Sequence, residues 1–195
     1  MLTDLTRRTM VLSALASLAT PSLAASDPAA VMSRNRELRR GLTNSVSDVT
    51  MTINSGGREV TRKMRQFVLE VSGRGNQTIN VFSSPADVQG ISVLTHSALN
   101  GNDQQWLFLP SVGRVKRISS SNRSGAFVGS DFAYEDLSSF EVEKYSYTSA
   151  EDVTLGGKKA ISVVYKPSYS GTGYTQLRAF LDPGNYQPLQ IEYYN

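Results

Sequence analysis

Three carboxylates in the second half of the chain have a spacing that could serve acid-base catalysis. Asp131 and Glu135 lie four residues apart, so a helix would place both on one face, and Asp136 follows directly. Glycosidases cleave their substrates with such a pair of carboxyl groups. The same residues also suit the start of a helix over residues 131–139, with Asp131 as the N-cap and the other two near the helix start, where the dipole favours acidic side chains. We favour this structural role and keep a hydrolase that uses Asp131 and Glu135 as an alternative.

Other catalytic and metal-binding constellations are excluded by composition. His96 is the only histidine and the chain has no cysteine. A triad with a histidine base therefore depends on His96 alone, and a site with two histidine ligands cannot be assembled within one chain. A single imidazole at a strand end is usually a satisfied polar group. We therefore predict no metal, no cofactor and no enzymatic activity.

Three cations follow one another at alternate or adjacent positions, namely Arg114, Lys116 and Arg117. They can contact anionic headgroups or a partner, they can pair with the carboxylates above, or they can form a solvated strand edge that resists aggregation. Their function is left open by the pattern. Across the chain 20 basic and 17 acidic residues give a net charge of +3. This small, dispersed excess does not indicate a nucleic-acid-binding protein.

The elements around these cations are two strands and a long loop. In residues 105–109, Trp106 and Phe108 share one face while Leu107 and Leu109 share the other. Such a strand has no polar face, which predicts a cover on both sides. After the basic strand, residues 119–129 are rich in Ser and Gly around Phe127 and Val128. A loop of this length is usually functional, and we expect a lid with Phe127 and Val128 as its apolar tip.

This region resembles the LolA-like family of periplasmic outer-membrane lipoprotein-sorting proteins. The matching segments are WLFLP at 106–110, RVKRI at 114–118, GSDF at 129–132 and YEDL at 134–137, with FSSPADVQGISVLTH at 82–96 upstream. The resemblance extends over roughly residues 45–195. It implies an incomplete β-barrel whose apolar cavity shields acyl chains, with lipoprotein or lipid cargo. It also implies an inner-membrane transporter as loader, an outer-membrane acceptor, and a C-terminus shortened by several strands.

The N-terminus has the pattern of an export signal. Arg7 and Arg8 precede an apolar run over residues 10–19, and Ser22-Leu23-Ala24 provides the small residues of a cleavage site after Ala24. We expect residues 1–24 to be removed after export to the periplasm by the Sec or twin-arginine route. No cysteine follows the run, which argues for a soluble carrier rather than a lipid-anchored receptor. Residues 25–195 then form a single domain, which we expect to be a monomer.

The remaining pattern predicts one helix followed by strands. Asp27 and Pro28 suit the N-cap and first turn of a helix over residues 29–40 that presents Val31, Leu38 and Leu42. Short strands joined by Gly-, Asn- and Ser-rich turns follow, in or near residues 49–53, 60–71, 76–82, 91–95, 105–109, 114–118, 140–147, 160–166, 174–182 and 189–194. The fold class is α+β: a strongly curved antiparallel sheet, an incomplete LolA-like β-barrel, wrapped around an N-terminal helix, with a long loop or lid. Periodicity alone leaves a closed lipocalin-like barrel open.

Apolar residues on these strands and the loop are core candidates, and a partly filled curved sheet would turn them into a lipid site. The predicted lipid-binding residues are Phe67, Leu69, Ile91, Val93, Trp106, Phe108, Phe127 and Phe132. Arg114, Lys116 and Arg117 are the predicted headgroup or partner contacts. The function predicted is a periplasmic carrier of acyl chains toward the outer membrane. The alternative is a scaffold subunit of an envelope transporter complex that binds no lipid.

Overall fold

A computed structural model describes residues 27–195 of the chain. The predicted signal segment and its cleavage site lie outside the described residues. Helix α1 spans Pro28–Leu38, and the Asp27 side chain accepts a hydrogen bond from the backbone nitrogen of Ala29 at 3.0 Å. This confirms the predicted cap. Val31 and Met32 are buried, whereas Leu38 is 46% exposed, so the apolar face of the helix is narrower than predicted. No helix among the described residues has the length and hydrophobicity needed to span a membrane.

The first six strands form one antiparallel sheet in chain order. They are β1 (Asn44–Ser55), β2 (Arg58–Leu69), β3 (Gln77–Ser84), β4 (Ser92–His96), β5 (Gln104–Leu109) and β6 (Arg114–Ile118). Each strand pairs with the next because every connection is a short turn. The predicted meander is therefore confirmed, with β1 and β6 as the two edges.

The last four strands form a second antiparallel sheet. They are β7 (Tyr145–Leu155), β8 (Lys158–Pro167), β9 (Gln176–Leu181) and β10 (Pro188–Tyr194). Strand β7 was predicted at residues 140–147, and it begins later and runs to Leu155. The reason is the Gly156-Gly157 turn, both of whose residues have positive φ, which pairs Leu155 with Lys158 and extends the β7–β8 hairpin to the turn. Residues 142–144 instead form a 3-10 turn.

Two core clusters lie on the inner faces of the two sheets. In one, Val31 and Met32 of α1 pack with Val163, Leu177 and other residues of the second sheet. In the other, Phe82 and Val93 of the first sheet pack with Phe127 of the connecting segment. Within residues 27–195, no strand of one sheet is hydrogen-bonded to the other sheet. The fold is therefore the expected incomplete barrel with an N-terminal helix, and it is not a closed barrel.

The connecting segment, residues 119–144, contains short 3-10 turns where a helix over residues 131–139 was predicted. That helix is wrong: a single 3-10 turn spans Tyr134–Leu137. Asp131 is exposed and is not the N-cap; the Asp136 side chain accepts a hydrogen bond from the backbone nitrogen of Ala133 at 2.7 Å. An α-helix is prevented because residues 126 and 133 form a β-bridge that folds the preceding chain back on itself.

Candidate functional site

A cavity of about 600 Å³ lies between α1, the inner faces of both sheets and the connecting segment. Each of these elements contributes side chains to its wall. Those that define its character are Asn35 and Leu38 of the helix, Ser47, Gln66, Val68 and Thr78 of the first sheet, Tyr165, Leu177, Ile191 and Tyr193 of the second, and Glu135, Asp136 and Phe140 of the connecting segment. The wall is therefore amphipathic, with apolar, hydroxyl, amide and charged groups together.

Aromatic rings form one side of this cavity. Tyr145 packs edge-on against Tyr165 with ring centroids 5.1 Å apart and stacks on Phe140 at 5.1 Å, while Tyr174 contacts Tyr193 at 4.9 Å. Burial raises the pKa of Tyr145, Tyr165 and Tyr174, so their hydroxyls remain protonated at neutral pH. Such rings offer an apolar face to methylene groups and a hydroxyl to polar atoms.

The carboxylates of Glu135 and Asp136 are both held by hydrogen bonds at this wall. Glu135 accepts from the Tyr169 hydroxyl at 3.0 Å and from the backbone nitrogen of Gly173 at 2.8 Å. Asp136 accepts from the Tyr174 hydroxyl at 2.9 Å, and burial raises the pKa of its carboxyl group. Asp131 does not line the cavity, so the structure does not bring the Asp131 and Glu135 pair together there.

A buried ion network joins the β4–β5 turn of the first sheet to both ends of the connecting segment. Asp103, in the β4–β5 turn, pairs with Arg123 at 3.3 Å and also with Lys144, and all three side chains are at most 2% exposed. The Arg123 guanidinium lies 4.8 Å from the Tyr169 ring centroid and donates to Asn102 at 2.9 Å. Sequence reasoning missed this network because each member lies in a polar turn or loop that looks solvated. The sequence feature that could have indicated the network is Arg123, the single arginine in the Ser- and Gly-rich loop.

The predicted lipid-binding residues occupy three different environments, and none of them lines the cavity. Val93 and Phe127 are fully buried in the inner-face core, and Ile91 packs against them. Phe127 contacts Phe82 at 5.4 Å and Tyr134 at 5.7 Å between ring centroids. Phe127 and Val128 therefore pack into the inner-face core, and their role as the tip of a lid stays a prediction.

The other predicted residues are partly exposed. Phe132 is 49% exposed in the connecting segment. Phe67, Leu69, Trp106 and Phe108 lie on the outer face of the first sheet, opposite the core. Trp106 and Phe108 are only partly buried on this face, so the expectation that their strand is covered on both sides is wrong for the outer face among the described residues.

On the outer face, apolar side chains form a row across five strands. The register pairs Val46 with Phe67, Phe67 with Ile79, Ile79 with Leu94, and Leu94 with Trp106. A second row places Phe108 beside Val115, which is 65% exposed. Between the rows is an apolar groove of about 350 Å³.

The predicted cations Arg114, Lys116 and Arg117 are exposed on β6, the free edge of the sheet, but they lie on different faces. Arg117 pairs with Trp106 on the outer face, whereas Arg114 and Lys116 pair with Leu109 and Leu107 on the inner face. Within the part of the chain that the structure describes, none of the three forms an ion pair. Of the carboxylates proposed above as their partners, Glu135 and Asp136 are bound elsewhere and Asp131 forms no ion pair among the described residues.

Comparisons with known proteins identify this architecture. A family model described only as an uncharacterized protein matches residues 74–195. The crystal structure of a domain assigned to an outer membrane lipoprotein-sorting protein from Vibrio parahaemolyticus is 40% identical in sequence, with a TM-score of 0.82 over 86% of this chain and 71% of that chain. A DUF1329 family protein from Desulfovibrio piger is 25% identical, with a TM-score of 0.80 over 86% and 72% of the two chains.

A more distant structure shares the fold alone. A LolA superfamily protein from Nitrosomonas europaea is 16% identical, with a TM-score of 0.62 over 85% of this chain and 70% of that chain. No curated protein matches the sequence significantly. The 40% identity to the Vibrio parahaemolyticus domain, over 86% of this chain and 71% of that chain, shows that the chain belongs to the family of outer membrane lipoprotein-sorting proteins, and its open two-sheet fold with an N-terminal helix is the fold of the LolA superfamily structure.

Proposed function

We propose that this protein is a periplasmic carrier that binds acyl chains of a lipoprotein, or of another lipid, between its two sheets and moves them toward the outer membrane. The observation that supports the proposal is the cavity of about 600 Å³ between α1 and the two inner faces. Small-molecule and lipid sites typically occupy about 300–1,000 Å³. The relative from Vibrio parahaemolyticus is assigned to outer membrane lipoprotein sorting, which agrees with this role.

The cavity wall suits a ligand with an apolar chain and a polar end. Val68, Leu177 and Ile191 offer aliphatic surface, and each methylene that they shield from water contributes about 0.8 kcal/mol. Gln66 and the tyrosine hydroxyls supply hydrogen-bonding groups for the polar end. Acyl contact is thus assigned to these wall residues, while lipid binding by the residues predicted from the sequence stays a prediction.

The expected partners follow from the sorting role. A carrier must receive its cargo at the inner membrane and release it at the outer membrane, so we expect an inner-membrane transporter as loader and an outer-membrane acceptor. A ligand enclosed by a single chain requires no second subunit, and we expect a monomer. The carrier performs no covalent chemistry in this proposal, since Glu135 and Asp136 serve to hold the wall together.

The test is native mass spectrometry, with solvent extraction, of protein purified from periplasm without detergent. A stoichiometric acylated species would support the carrier. Ser47→Trp, on the inner face of β1 and in the cavity wall, should remove that species by filling the cavity. Thr50→Trp, on the outer face of the same strand, is the matched control and should retain it.

The scaffold alternative draws on a different observation, the exposed apolar outer face of the first sheet. Such a face suits a subunit that docks onto a partner and binds nothing inside. Protein that co-purifies with no lipid and takes up no fluorescent fatty acid would contradict the carrier and favour this scaffold.

A further inference from the structure

The two sheets contribute different kinds of wall to the cavity between them. On the second sheet, Tyr165, Leu177 and Tyr193 form a row across three strands, and Ile191 lies in the neighbouring row. The strands of the first sheet contribute polar side chains, apart from Val68. These polar residues are Asn44, Ser45, Ser47, Gln66 and Thr78. A molecule in the cavity therefore meets aliphatic and aromatic groups on one side and hydroxyl and amide groups on the other.

Part of the apolar wall is left uncovered. Leu177 is buried, whereas Ile191 and Tyr193 are 38% and 43% exposed although they lie on the inner face of the second sheet. Near the end of α1, Leu38 and Leu42 also line the cavity and are 46% and 67% exposed. A hydrocarbon chain that covers such side chains removes apolar surface from water, which is favourable.

The volume of the cavity limits how much hydrocarbon it can hold. A methylene group and a water molecule in the liquid each take up about 30 Å³. The cavity of about 600 Å³ therefore holds about 20 such groups. One chain of about 16 carbons fits, whereas the three such chains of a triacylated lipoprotein anchor need about 1,400 Å³. The size of the cavity thus suits one acyl chain with part of its polar end.

The polar wall argues against a second layer of hydrocarbon. A chain packed against Gln66 and Thr78 would remove amide and hydroxyl groups from water without offering them a hydrogen bond, which costs free energy. The buried hydroxyl oxygen of Ser138, a residue of the same cavity wall, has no hydrogen-bond partner among the described residues. An ester, hydroxyl or carboxylate group of a ligand can satisfy such groups.

We propose that the cargo of this cavity is an amphiphile with a single acyl chain, such as a lysophospholipid or a fatty acid, rather than a lipid anchor with several chains. The acyl chain lies on Leu177, Ile191 and Tyr193 of the second sheet. The polar end of the molecule faces the hydrogen-bonding groups of Gln66 and Ser138. This inference rests on the proposed carrier function and narrows its substrate class.

The experiment is competition for a fluorescent 16-carbon fatty acid bound to the protein purified from periplasm. The competitors are palmitate, palmitoyl lysophosphatidylglycerol, dipalmitoyl phosphatidylglycerol and a triacylated lipopeptide. All are supplied as cyclodextrin complexes, so that extraction from a bilayer does not bias the comparison. The two single-chain lipids should compete at concentrations roughly 10-fold lower than the other two, because a second chain that stays in water loses its burial free energy. Native mass spectrometry should show one acyl chain per protein, and its mass distinguishes a fatty acid from a lysophospholipid.

The position of the chain is tested with two variants of β10. Ile191→Ser changes a residue of the cavity wall and should weaken binding of the fluorescent fatty acid roughly 5-fold, because part of the buried hydrocarbon contact is lost. Leu189→Ser changes a residue of similar exposure on the same strand that does not line the cavity, so it is the matched control and should bind like the wild type. Circular dichroism melts verify that both variants are folded.

The outcomes separate this inference from the carrier function. If dipalmitoyl phosphatidylglycerol or the lipopeptide competes as well as the single-chain lipids, the single-chain cargo is wrong and the carrier function stands. If the protein binds neither the probe nor any lipid, both are wrong. Equal binding by Ile191→Ser and Leu189→Ser would overturn the placement of the chain on the second sheet. The competition in the wild type needs no substitution, so it decides the number of chains even if a variant unfolds.

Discussion

The two faces of the first sheet both mix polar and apolar residues, but the inner face buries polar side chains beside its core while the outer face exposes apolar ones. On the inner face Asn80, Thr95 and Gln105 are at most 1% exposed, while on the outer face Val46 and Phe67 are 59% and 39% exposed. The inner polar groups are satisfied in part: Gln105 donates to Thr95 at 3.2 Å and to the Tyr134 carbonyl at 2.7 Å, and Asn80 accepts from Gln66 at 3.0 Å. Among the described residues, the Gln105 side-chain oxygen and the Asn80 side-chain nitrogen have no hydrogen-bond partner. Burial of such groups costs little when they are hydrogen-bonded.

This difference shows that the hydrophobicity of the strands does not decide which face of the sheet is buried. The connecting segment, which packs over one face, decides it. Residues 119–144 place Phe127 and Tyr134 against the inner face, and the Asp103 network links that segment to the β4–β5 turn of the first sheet. The outer face has apolar residues of equal size but no such cover among the described residues. Apolar surface left in this state is available for contact with another molecule.

The largest expected change in the free energy of unfolding comes from removing the carboxylate of the buried ion network. Asp103→Ala leaves Arg123 and Lys144 buried without their carboxylate, which should lower the free energy of unfolding by about 3–5 kcal/mol. Urea denaturation measures this. Asp48→Ala, which breaks the exposed outer-face pair with Arg65, is the matched control and should cost less than about 1 kcal/mol. Equal costs for the two variants would contradict the contrast between the faces.

A smaller difference in unfolding free energy is expected between alanine variants of two phenylalanines that pack on opposite faces of the first sheet. Phe127→Ala empties a fully buried site and should cost about 3–4 kcal/mol in unfolding free energy. Phe67→Ala removes a partly exposed ring and should cost about 1 kcal/mol. Thermal and urea unfolding provide both values. A Phe67→Ala variant as unstable as Phe127→Ala would show that the outer face is structural.

The smallest expected effect is on the pH dependence of the free energy of unfolding, through the Asp136 carboxyl group in the cavity wall. Burial raises the pKa of the Asp136 carboxyl above its ordinary value of 3.8, while a hydrogen bond from Tyr174 opposes this rise. As pH increases above 3.8 the unfolded state loses this proton first, so the free energy of unfolding falls until the folded carboxyl also ionises. Asp136→Asn should remove this fall in urea denaturation at a series of pH values.

Tyr174→Phe sharpens the same test. It removes one of the two hydrogen bonds that lower the Asp136 pKa and leaves the one from the Ala133 backbone nitrogen, so the fall in stability should extend to higher pH. If the stability–pH profiles of the wild type, Asp136→Asn and Tyr174→Phe superimpose, the pKa of the Asp136 carboxyl is not raised by burial in the cavity wall.

Much of the local structure was predictable from sequence because it depends on neighbours along the chain. The Asp27 cap, the Gly-rich turns and the strand alternation around Met64, Val93 and Trp106 all follow from short-range geometry. The helix predicted over residues 131–139 failed because a bridge between residues 126 and 133 holds that segment in another path. The same acidic residues would cap a helix in isolation.

The sequence by itself determined the order of strands, the helix start and the resemblance to the LolA-like family, since these rest on periodicity, turn residues and contiguous motifs. Only the tertiary structure decided that Phe127 is core, that Phe67 and Trp106 face outward, and that Asp103, Arg123 and Lys144 meet. Alternation defines two faces of a strand but does not distinguish them. Which one is buried depends on packing with residues far away in the chain, whose position no local pattern encodes.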